Sequence, residues 1–361
     1  MRLLSLALLL TTHLLGSASV KIGDLYYNLN DAAKTAEVTY LDSNSDNNSG
    51  YVSGDLVIPS SIESDGKNYS VTRIGDVAFR NCTGLTSVTI PNSVTEIGVR
   101  AFRDCSGMTS VTIPGSITKI DDYAFQWCNG LTSVHITDLD AWFNIDFIGF
   151  NSNPLECAHS LYLNGTEVKE LVIPNTITEI GSFALRGCDI TSLTIPESVT
   201  KINRYAIATC ESLTSLTIPN SVTEIGDYAF SYCTAMTSIT IGNSVNKIGG
   251  NAFIGTLSLT TIYSHTATPP AVSDDTFTNN NYINATLYVP SGCVDTYKAD
   301  AVWSKFQNIA DGGYSGVDDA IAAGAAEVKG YYNLQGVRAD EPWDGLNIVV
   351  YSDGSCRKAT Y

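Results

Sequence analysis

The sequence predicts an α/β repeat solenoid, in which short coils of similar sequence stack along one axis. A unit of 22 or 23 residues returns along most of the chain: one copy reads IPNSVTEIGVRAFRDCSGMTSVT from Ile90, and others begin at Ile113, Ile195 and Ile218. The same apolar positions recur in every copy, so a single coil cannot bury its apolar side chains alone. Self-similarity at this period is typical of solenoids, and a stack of coils offers a long regular surface that suits binding.

Each coil begins with a predicted short parallel strand. In the copy LTSVTIP, Leu85, Val88 and Ile90 match the L-x-x-L-x-L pattern of leucine-rich repeats and should point inward. Thr and Ser fill the positions between them, where β-branched side chains favour strands and hydroxyls are expected to face solvent. One such ladder comprises Thr86, Thr109, Thr132, Thr191, Thr214 and Thr237. A proline such as Pro91 then ends the strand, because it cannot donate to a ladder.

An Ala-Phe pair recurs in the second half of the coil, and we expect a short helical turn there. The copies are Ala78-Phe79, Ala101-Phe102, Ala124-Phe125, Ala229-Phe230 and Ala252-Phe253. The small Ala lets the backbone approach its neighbours, while Phe fills the centre of the coil.

Six of the nine cysteines occupy one repeat position: Cys82, Cys105, Cys128, Cys188, Cys210 and Cys233. Stacked strands lie roughly 4.7–4.9 Å apart with equivalent side chains pointing the same way. This exceeds the Cβ separation of about 3.5–4.5 Å that a disulfide prefers. We therefore predict a structural column of buried free thiols. Cys157, Cys293 and Cys356 lie outside this column, and their state is left open.

The rhythm of the repeat divides the chain into segments. We expect a signal peptide (1–19), an N-terminal cap (20–62), a leucine-rich repeat solenoid (63–262) with an irregular coil at 137–172, last coils and a C-terminal cap (263–310), a linker (311–330) and a C-terminal tail (331–361) forming a small β unit. Caps are needed because the end coils would otherwise present open sheet edges and bare core.

The N-terminal residues and the net charge limit where the protein is expected to be located and which partners it can have. MRLLSLALLLTTHLLGSAS has one basic residue, a leucine-rich stretch and small residues after it, which predicts a secretory signal peptide and an exported chain. No other stretch is long and apolar enough to span a membrane. The net charge of -17 disfavours nucleic acid and anionic lipid as partners.

The coil sequence resembles the BspA-like leucine-rich repeats, also called the Treponema pallidum type. The motif I-P-x-S-V-T-x-I-G-x-x-A-F-x-x-C-x-x-L-T-S-V-T carries this resemblance over roughly residues 55–309. It implies a protein secreted or attached to a cell surface, and an adhesin that binds host or bacterial surface proteins. The tail from Tyr331 (YNLQG, then GLNIV) is similar to C-terminal segments of exported Bacteroides-like proteins. The tail closes with KATY rather than a basic, apolar ending, so surface retention is left open.

No motif for catalysis is present, and we expect no enzyme activity, no cofactor and no metal site. HExxH, G-x-S-x-G, paired C-x-x-C and P-loop patterns are all missing from the sequence. Cys157 and His159 could form a nucleophile–base pair, but one such pair on an irregular loop is weak support. The loop DSNSDNNSG lacks the ligand spacing of a calcium loop and is better explained as a solvated turn.

Three surfaces are candidates for binding, each with a packing explanation beside it. The first is the Thr and Ser ladder, in which His135 takes a Thr position. The second is a set of aromatic side chains around the Ala-Phe pair: Tyr123, Trp127, Phe183, Tyr205, Tyr228 and Tyr232. The third is the irregular coil with Trp142, Phe143, Phe147 and Phe150. The functional hypothesis is an exported, non-enzymatic protein-binding module. The alternatives are a structural spacer or envelope component and a glycan-binding module.

Overall fold

The computed structural model describes residues 19–40 and 51–312, and after them the backbone of four more strands. Residues 1–18 of the predicted signal peptide, the whole DSNSDNNSG loop (42–50) and residues 313–327 of the predicted linker lie outside the described residues.

Short strands dominate the described part of the chain, and its helices are few and short. The N-terminal strands are β1 (Val20–Ile22), β2 (Leu25–Asn30), β3 (Thr35–Thr39), β4 (Gly54–Val57), β5 (Ser61–Ser64) and β6 (Lys67–Ile74). Next come β7 (Leu85–Thr89), β8 (Glu96–Ile97), β9 (Ser110–Thr112), β10 (Lys119–Ile120), β11 (Ser133–Ile136), α1 (Leu139–Phe143), β12 (Asp146–Phe147), α2 (Leu155–Ala158), β13 (Leu161–Leu163), β14 (Thr166–Glu167) and β15 (Glu170–Val172).

The second half of the stack repeats the same elements before the chain closes. It contains β16 (Glu179–Ile180), β17 (Ser192–Thr194), β18 (Lys201–Ile202), β19 (Ser215–Thr217), β20 (Glu224–Ile225), β21 (Ser238–Ile241), β22 (Lys247–Ile248) and β23 (Thr261–Ser264). The closing segment has α3 (Asn279–Asn284), β24 (Thr286–Val289), α4 (Val294–Ala299), a 3₁₀ turn (Trp303–Lys305) and β25 (Asn308–Asp311). A separate antiparallel sheet contains β26 (Val328–Tyr332), β27 (Arg338–Ala339), β28 (Leu346–Tyr351) and β29 (Cys356–Thr360).

Each coil has three sides. The sheet face runs along β4, β7, β9, β11 and β13, and resumes along β15–β17 and β19–β21–β23–β24–β25, all paired in parallel. The short-strand face runs along β3, β6, β8, β10 and β12, and resumes along β16, β18, β20 and β22. The third side, which we call the turn face, consists of residues 75–82, 98–105, 121–128, 148–157, 181–188, 203–210, 226–233 and 249–256.

The Ala-Phe segment is not the short helical turn that its sequence predicts. Instead, alternate backbone N–H groups point along the stack, as in Phe79 N–H to Ala101 O (2.7 Å) and Asn81 N–H to Arg103 O (2.8 Å). The intervening groups close tight turns within the coil, as in Arg80 N–H to Val77 O (3.1 Å). A helix would direct all of these groups into one coil, whereas this pattern uses half of them to join neighbouring coils.

One apolar core runs through the stack. The Ala-Phe rings stack at 5.2 Å (Phe79–Phe102) and 5.3 Å (Phe102–Phe125), and again at 5.4 Å for Phe230–Phe253. All of these rings are buried, and full burial of one Phe contributes on the order of 1.5–3 kcal/mol. Tyr51 extends the stack at its N-terminal end, and an aromatic cluster of Phe277, Tyr282, Trp303 and Phe306 closes the other end. The core is therefore covered at both ends.

Candidate interaction surface

The turn face is held by residues in the left-handed backbone region, which bulky side chains rarely adopt. Two such positions recur four residues apart in most coils, for example Tyr123 (φ 60°) with Trp127 (φ 61°), and Tyr228 (φ 57°) with Tyr232 (φ 58°). Each costs of order 1 kcal/mol or more, and most of these residues donate their N–H to a carbonyl of the next coil, which holds the conformation. The backbone thus fixes where the aromatic side chains leave the coil.

Three of the aromatic side chains singled out in the sequence, Phe183, Tyr205 and Tyr228, form a stacked column. Phe183 and Tyr205 stack at 5.3 Å, and Tyr205 and Tyr228 at 4.6 Å. Phe150 of the irregular coil joins edge-on, 5.6 Å from Phe183 and 5.2 Å from Tyr205. Phe183 and Tyr205 are buried, whereas Tyr123 and Tyr228 are half-buried. Because the rings cover one another's faces, mainly their edges reach the surface.

Arginines lie over these rings, a feature that the sequence reading missed. The guanidinium carbon of Arg103 lies 4.3 Å from the ring centroid of Trp127, and that of Arg100 lies 5.7 Å from Tyr123. Arg204 lies 4.9 Å from Tyr205. Of the six arginines between residues 51 and 312, five belong to the turn face: Arg80, Arg100, Arg103, Arg186 and Arg204. Their common location could have been found by aligning the copies, since each arginine alone resembles an ordinary solvated charge.

The turn-face arginines differ in whether a carboxylate of the protein binds them. Arg186 donates through Nε to Glu156 (2.7 Å), a largely buried carboxylate that also accepts Asn151 N–H (2.7 Å); burial raises the pKa of Glu156. Arg100 and Arg204 are exposed, and neither forms an ion pair or a side-chain hydrogen bond with any residue that the structure describes. Their guanidinium groups are braced by aromatic rings while their donors face solvent.

Two further aromatic side chains on the turn face are half exposed. Trp127 is 50% exposed and Tyr232 is 51% exposed. Tyr232 lies against Gly255, where an added Cβ would come within 2.5 Å of the tyrosine ring. The missing side chain of Gly255 therefore makes room for this ring in the neighbouring coil.

The sheet face differs from its prediction in one respect. The Thr hydroxyls are exposed, but they donate to carbonyls of the preceding coil, as in Thr132 to Thr109 O (3.2 Å) and Thr237 to Thr214 O (3.2 Å). Their protons are therefore used inside the stack rather than offered to solvent. His135 is half-buried; its Nε2 lies 3.1 Å from Ser133 Oγ, and its ring stacks on Tyr162 at 4.8 Å.

The six cysteines of the predicted column are buried and free. Their thiols bond along the stack: Cys105 donates to Phe79 O (3.0 Å) and Cys128 to Phe102 O (3.1 Å). Cys157 extends the column, which corrects its placement outside it, because its thiol donates to the equivalent carbonyl of Phe125 (3.4 Å). Burial raises the pKa of Cys82 to about 11 and that of Cys188 to about 12.

The geometry does not assemble a nucleophile–base pair from Cys157 and His159. Cys157 contacts the coil before it, whereas His159 Nδ1 lies 2.9 Å from Gly187 O in the coil after it. Trp142, Phe143 and Phe147 are buried, and Trp142 donates to Ala184 O (3.1 Å), so the irregular coil is packed into the core. Within the described residues, no group of three His, Cys, Asp or Glu side chains could hold a metal ion. The described helices are all too short or too polar to cross a membrane.

Comparison with known proteins returned several bacterial structures and no curated relative. A leucine-rich repeat protein of Bacteroides ovatus is 23% identical over 76% of this chain and 80% of that one, with a TM-score of 0.41. A leucine rich cell surface protein of Faecalibacterium prausnitzii is 21% identical over 82% of this chain and 96% of that one, with a TM-score of 0.38. The T. pallidum leucine-rich repeat protein is 18% identical over 79% and 92%, with a TM-score of 0.30.

The family assignment comes from the repeat itself. The model of the BspA type leucine rich repeat region matches residues 59–151 and 158–284 in six copies, which is more than half of the chain. The matched residues contain most of the sheet-face strands, the short-strand ladder and the turn face described above. The chain belongs to the BspA-type leucine-rich repeat family.

Proposed function

We propose that this chain is an exported, non-enzymatic binding module that engages a host or bacterial surface protein through its turn face. The observation that carries the proposal is the composition of that face, where arginines lie over tyrosine, tryptophan and phenylalanine rings. These residue types are enriched in the energetically dominant parts of protein interfaces. Although the chain has a net charge of -17, five of the six arginines between residues 51 and 312 lie along this one side of the stack.

The rigidity of the surface supports the same function. The turn-face backbone is hydrogen-bonded from coil to coil, and its rings are stacked, so their side chains lose little freedom when a partner binds. Repeat proteins use extended surfaces of this kind for recognition. The leader-like N-terminus and the family resemblance support export and a location at the cell surface or in the medium.

Glycan binding is less well supported by the geometry. A sugar stacks on an exposed aromatic face, but Tyr205 is stacked between the rings of Phe183 and Tyr228, and each of these two rings has one face covered by Tyr205. One face of Trp127 lies under Arg103. A spacer role would need no such concentration of arginine and aromatic side chains.

Immobilised mature chain tests the proposal. Extracts of mucosal surfaces and of co-resident bacteria are passed over it, and each retained protein is purified and titrated by biolayer interferometry. We expect saturable binding of at least one extracellular protein, with at least tenfold weaker binding after Trp127→Ala and Tyr232→Ala together. Failure of every purified candidate to bind saturably, or unchanged binding by this variant with a thermal midpoint like that of the parent, contradicts the proposal.

A further inference from the structure

Arg100 and Arg204 lie at adjacent positions of the repeat on the turn face, directly before Ala101 and two residues before Ala206, respectively. Arg100 belongs to the second of the eight turn-face segments and Arg204 to the sixth, so four coil rises of about 4.8 Å separate them, roughly 19 Å. Both side chains are exposed; Arg100 is braced by Tyr123 of the next coil, and Arg204 by Tyr205 of its own coil and Tyr228 of the next. Neither has a carboxylate partner among the described residues, in contrast to Arg186 and its partner Glu156.

An apolar side chain lies between them. Phe150 is in the fourth segment, midway along the same row, and is 39% exposed although it contacts Phe183 and Tyr205. The backbone carbonyl of Phe150 accepts from Tyr123 N–H (2.9 Å), which fixes the irregular coil in the row. The second, fourth and sixth segments therefore present a guanidinium, an apolar ring and a guanidinium. The half-buried Asp122 and Tyr123 of the third segment lie between the first two, and the Arg186 guanidinium of the fifth lies 5.2 Å from the Phe150 ring.

We propose that this row binds an extended acidic polypeptide segment, with a carboxylate at each arginine and an apolar side chain at Phe150. The inference rests on the proposed function and names the chemistry of its partner. A planar guanidinium held by a ring is preorganised for two parallel hydrogen bonds to a carboxylate. An extended strand advances roughly 3.3 Å per residue, so about six residues cover the row.

Charge complementarity selects this partner despite the acidity of the whole chain. Salt screens surface charges beyond about 8–10 Å, so a carboxylate at Arg204 responds to the local guanidinium more than to distant acids. A polypeptide fits better than an anionic polysaccharide, because the Tyr205 ring beside Arg204 is stacked between Phe183 and Tyr228 and offers no free face to a sugar. The apolar step at Phe150 also suits a side chain such as Leu or Phe.

Synthetic peptides test the inference. An array of peptides of about ten residues, with Asp or Glu near both ends and one Leu or Phe at the centre, is titrated against the full mature chain by fluorescence anisotropy. Peptides with Gln in place of the acids serve as matched probes, and oligogalacturonate serves as the anionic polysaccharide. We expect saturable binding of acidic peptides, with Gln versions at least about tenfold weaker.

Variants of the two arginines locate the site. Arg100→Gln with Arg204→Gln should weaken the acidic peptides by at least about tenfold, and Arg100→Lys with Arg204→Lys should recover only part of this loss. Lys21→Gln with Lys298→Gln removes the same charge from exposed side chains away from the turn face and should change affinity by less than about twofold. Thermal unfolding of each variant excludes a folding defect.

Three results would overturn the inference: no acidic peptide binds, the Arg100→Gln/Arg204→Gln variant binds unchanged, or the lysine control loses as much affinity. Binding of oligogalacturonate through these arginines with no peptide bound would also overturn it. If a natural protein partner binds the Arg100→Gln/Arg204→Gln variant with full affinity, this inference is wrong while the proposed function still holds. The proposed function fails separately, if no extracellular protein binds the chain.

Discussion

Single residues of the turn face adopt conformations that their identity disfavours. Tyr123, Tyr205 and Tyr228 all have a positive φ, a region in which bulky side chains are strained. The recurring Ala-Phe pair predicts a short helical turn in this segment. The inter-coil hydrogen bonds decide otherwise, since the three tyrosines donate their N–H groups to the next coil, as Tyr205 does to Asp227 O (3.1 Å).

Substitution of Gly255, which lies against Tyr232, tests the close packing of neighbouring coils on the turn face. Gly255 (φ 77°) combines a left-handed backbone with a ring 2.5 Å from the position of an added Cβ, whereas Gly292 (φ 80°) has the same backbone and open space. We expect Gly255→Ala to cost about 2–3 kcal/mol and Gly292→Ala about 1 kcal/mol in chemical denaturation. Tyr232→Ala in the Gly255→Ala background should recover part of the difference. Equal costs at the two glycines would show that the ring contact is not as described.

The cysteine position combines small size with a weak donor. Each thiol that bonds along the stack reaches the carbonyl of the preceding coil's core residue, for example Cys233 to Ile207 O (3.1 Å). The sequence predicts free thiols from the strand spacing alone, but not this bond. Cys157 was missed because the irregular coil shifts it away from the repeat spacing, although its thiol makes the same contact.

Thiol labelling checks the column. Because these thiols are buried, an alkylating agent at about pH 8 should leave Cys82, Cys105, Cys128, Cys188, Cys210 and Cys233 unlabelled in the native chain. After unfolding without reductant, all six should be labelled, as peptide mapping by mass spectrometry would record. A mass loss of two hydrogens linking any two of the six would instead identify a disulfide and contradict the column.

The same thiols predict a pH dependence of stability. The folded-state pKa values of Cys82 and Cys188, about 11 and 12, lie above the unfolded value of about 8.5. Protonated thiols are thus favoured by folding, and their contribution is fully present below about pH 8.5 and lost as pH rises toward the folded values. Urea midpoints measured from pH 7 to 10 should fall above about pH 8.5, and fall less in Cys82→Ala. An equal decline in this variant would assign the effect to other groups.

Among the elements, the short-strand face carries a charge pattern that the sequence reading did not use. Paired positions alternate in sign along β16, β18, β20 and β22 as Glu179, Lys201, Glu224 and Lys247. Lys247 and Lys201 contact Glu224 at 2.8 and 3.1 Å and hold the pKa of its carboxyl below its usual value. In register, a single sign at this position would place like charges about 4.8 Å apart. The alternation of charge therefore disfavours pairing of a short strand with the strand two coils away, which carries the same charge.

Reversing one charge tests the ladder. Lys201→Glu places three carboxylates in a row, and we expect a loss of about 1–2 kcal/mol, while Lys201→Gln should cost about 0.5 kcal/mol because the pair is largely solvated. About 0.5 M NaCl should reduce the difference between the two variants, since salt screens repulsion between exposed charges. Urea denaturation at low and high salt measures both. The same stability for the two variants at low salt would remove the ladder as a register device.

For the whole molecule, regular repeats are predictable and the surface is less so. The inward positions Leu85, Val88 and Ile90 are buried as their spacing predicts, because a strand in a stack has only one interior side. The aromatic side chains were found, but not which of them are exposed: Phe183 and Tyr205 are buried, whereas Trp127 and Tyr232 are half exposed. That distinction depends on contacts between coils, which no single copy encodes. The arginine row was missed for the same reason.

The continuity of the stack through the irregular coil carries both the fold and the proposed binding row. If coils on its two sides were independent, the distance between Arg100 and Arg204 would not be fixed. Here Trp142 donates to Ala184 O, Asn153 Nδ2 donates to Phe183 O (2.9 Å), and Asp189 N–H donates to His159 O (2.8 Å), so the irregular coil is bonded to the coil after it.

Native-state hydrogen exchange measured by mass spectrometry tests this continuity most directly. We predict that peptides covering 137–172 contain amides as slowly exchanging as those in the coils before and after, and that all three regions lose protection together as urea is added. Fast exchange confined to 137–172, or separate urea transitions for the coils on its two sides, would mean two independent bodies and would contradict the continuous stack.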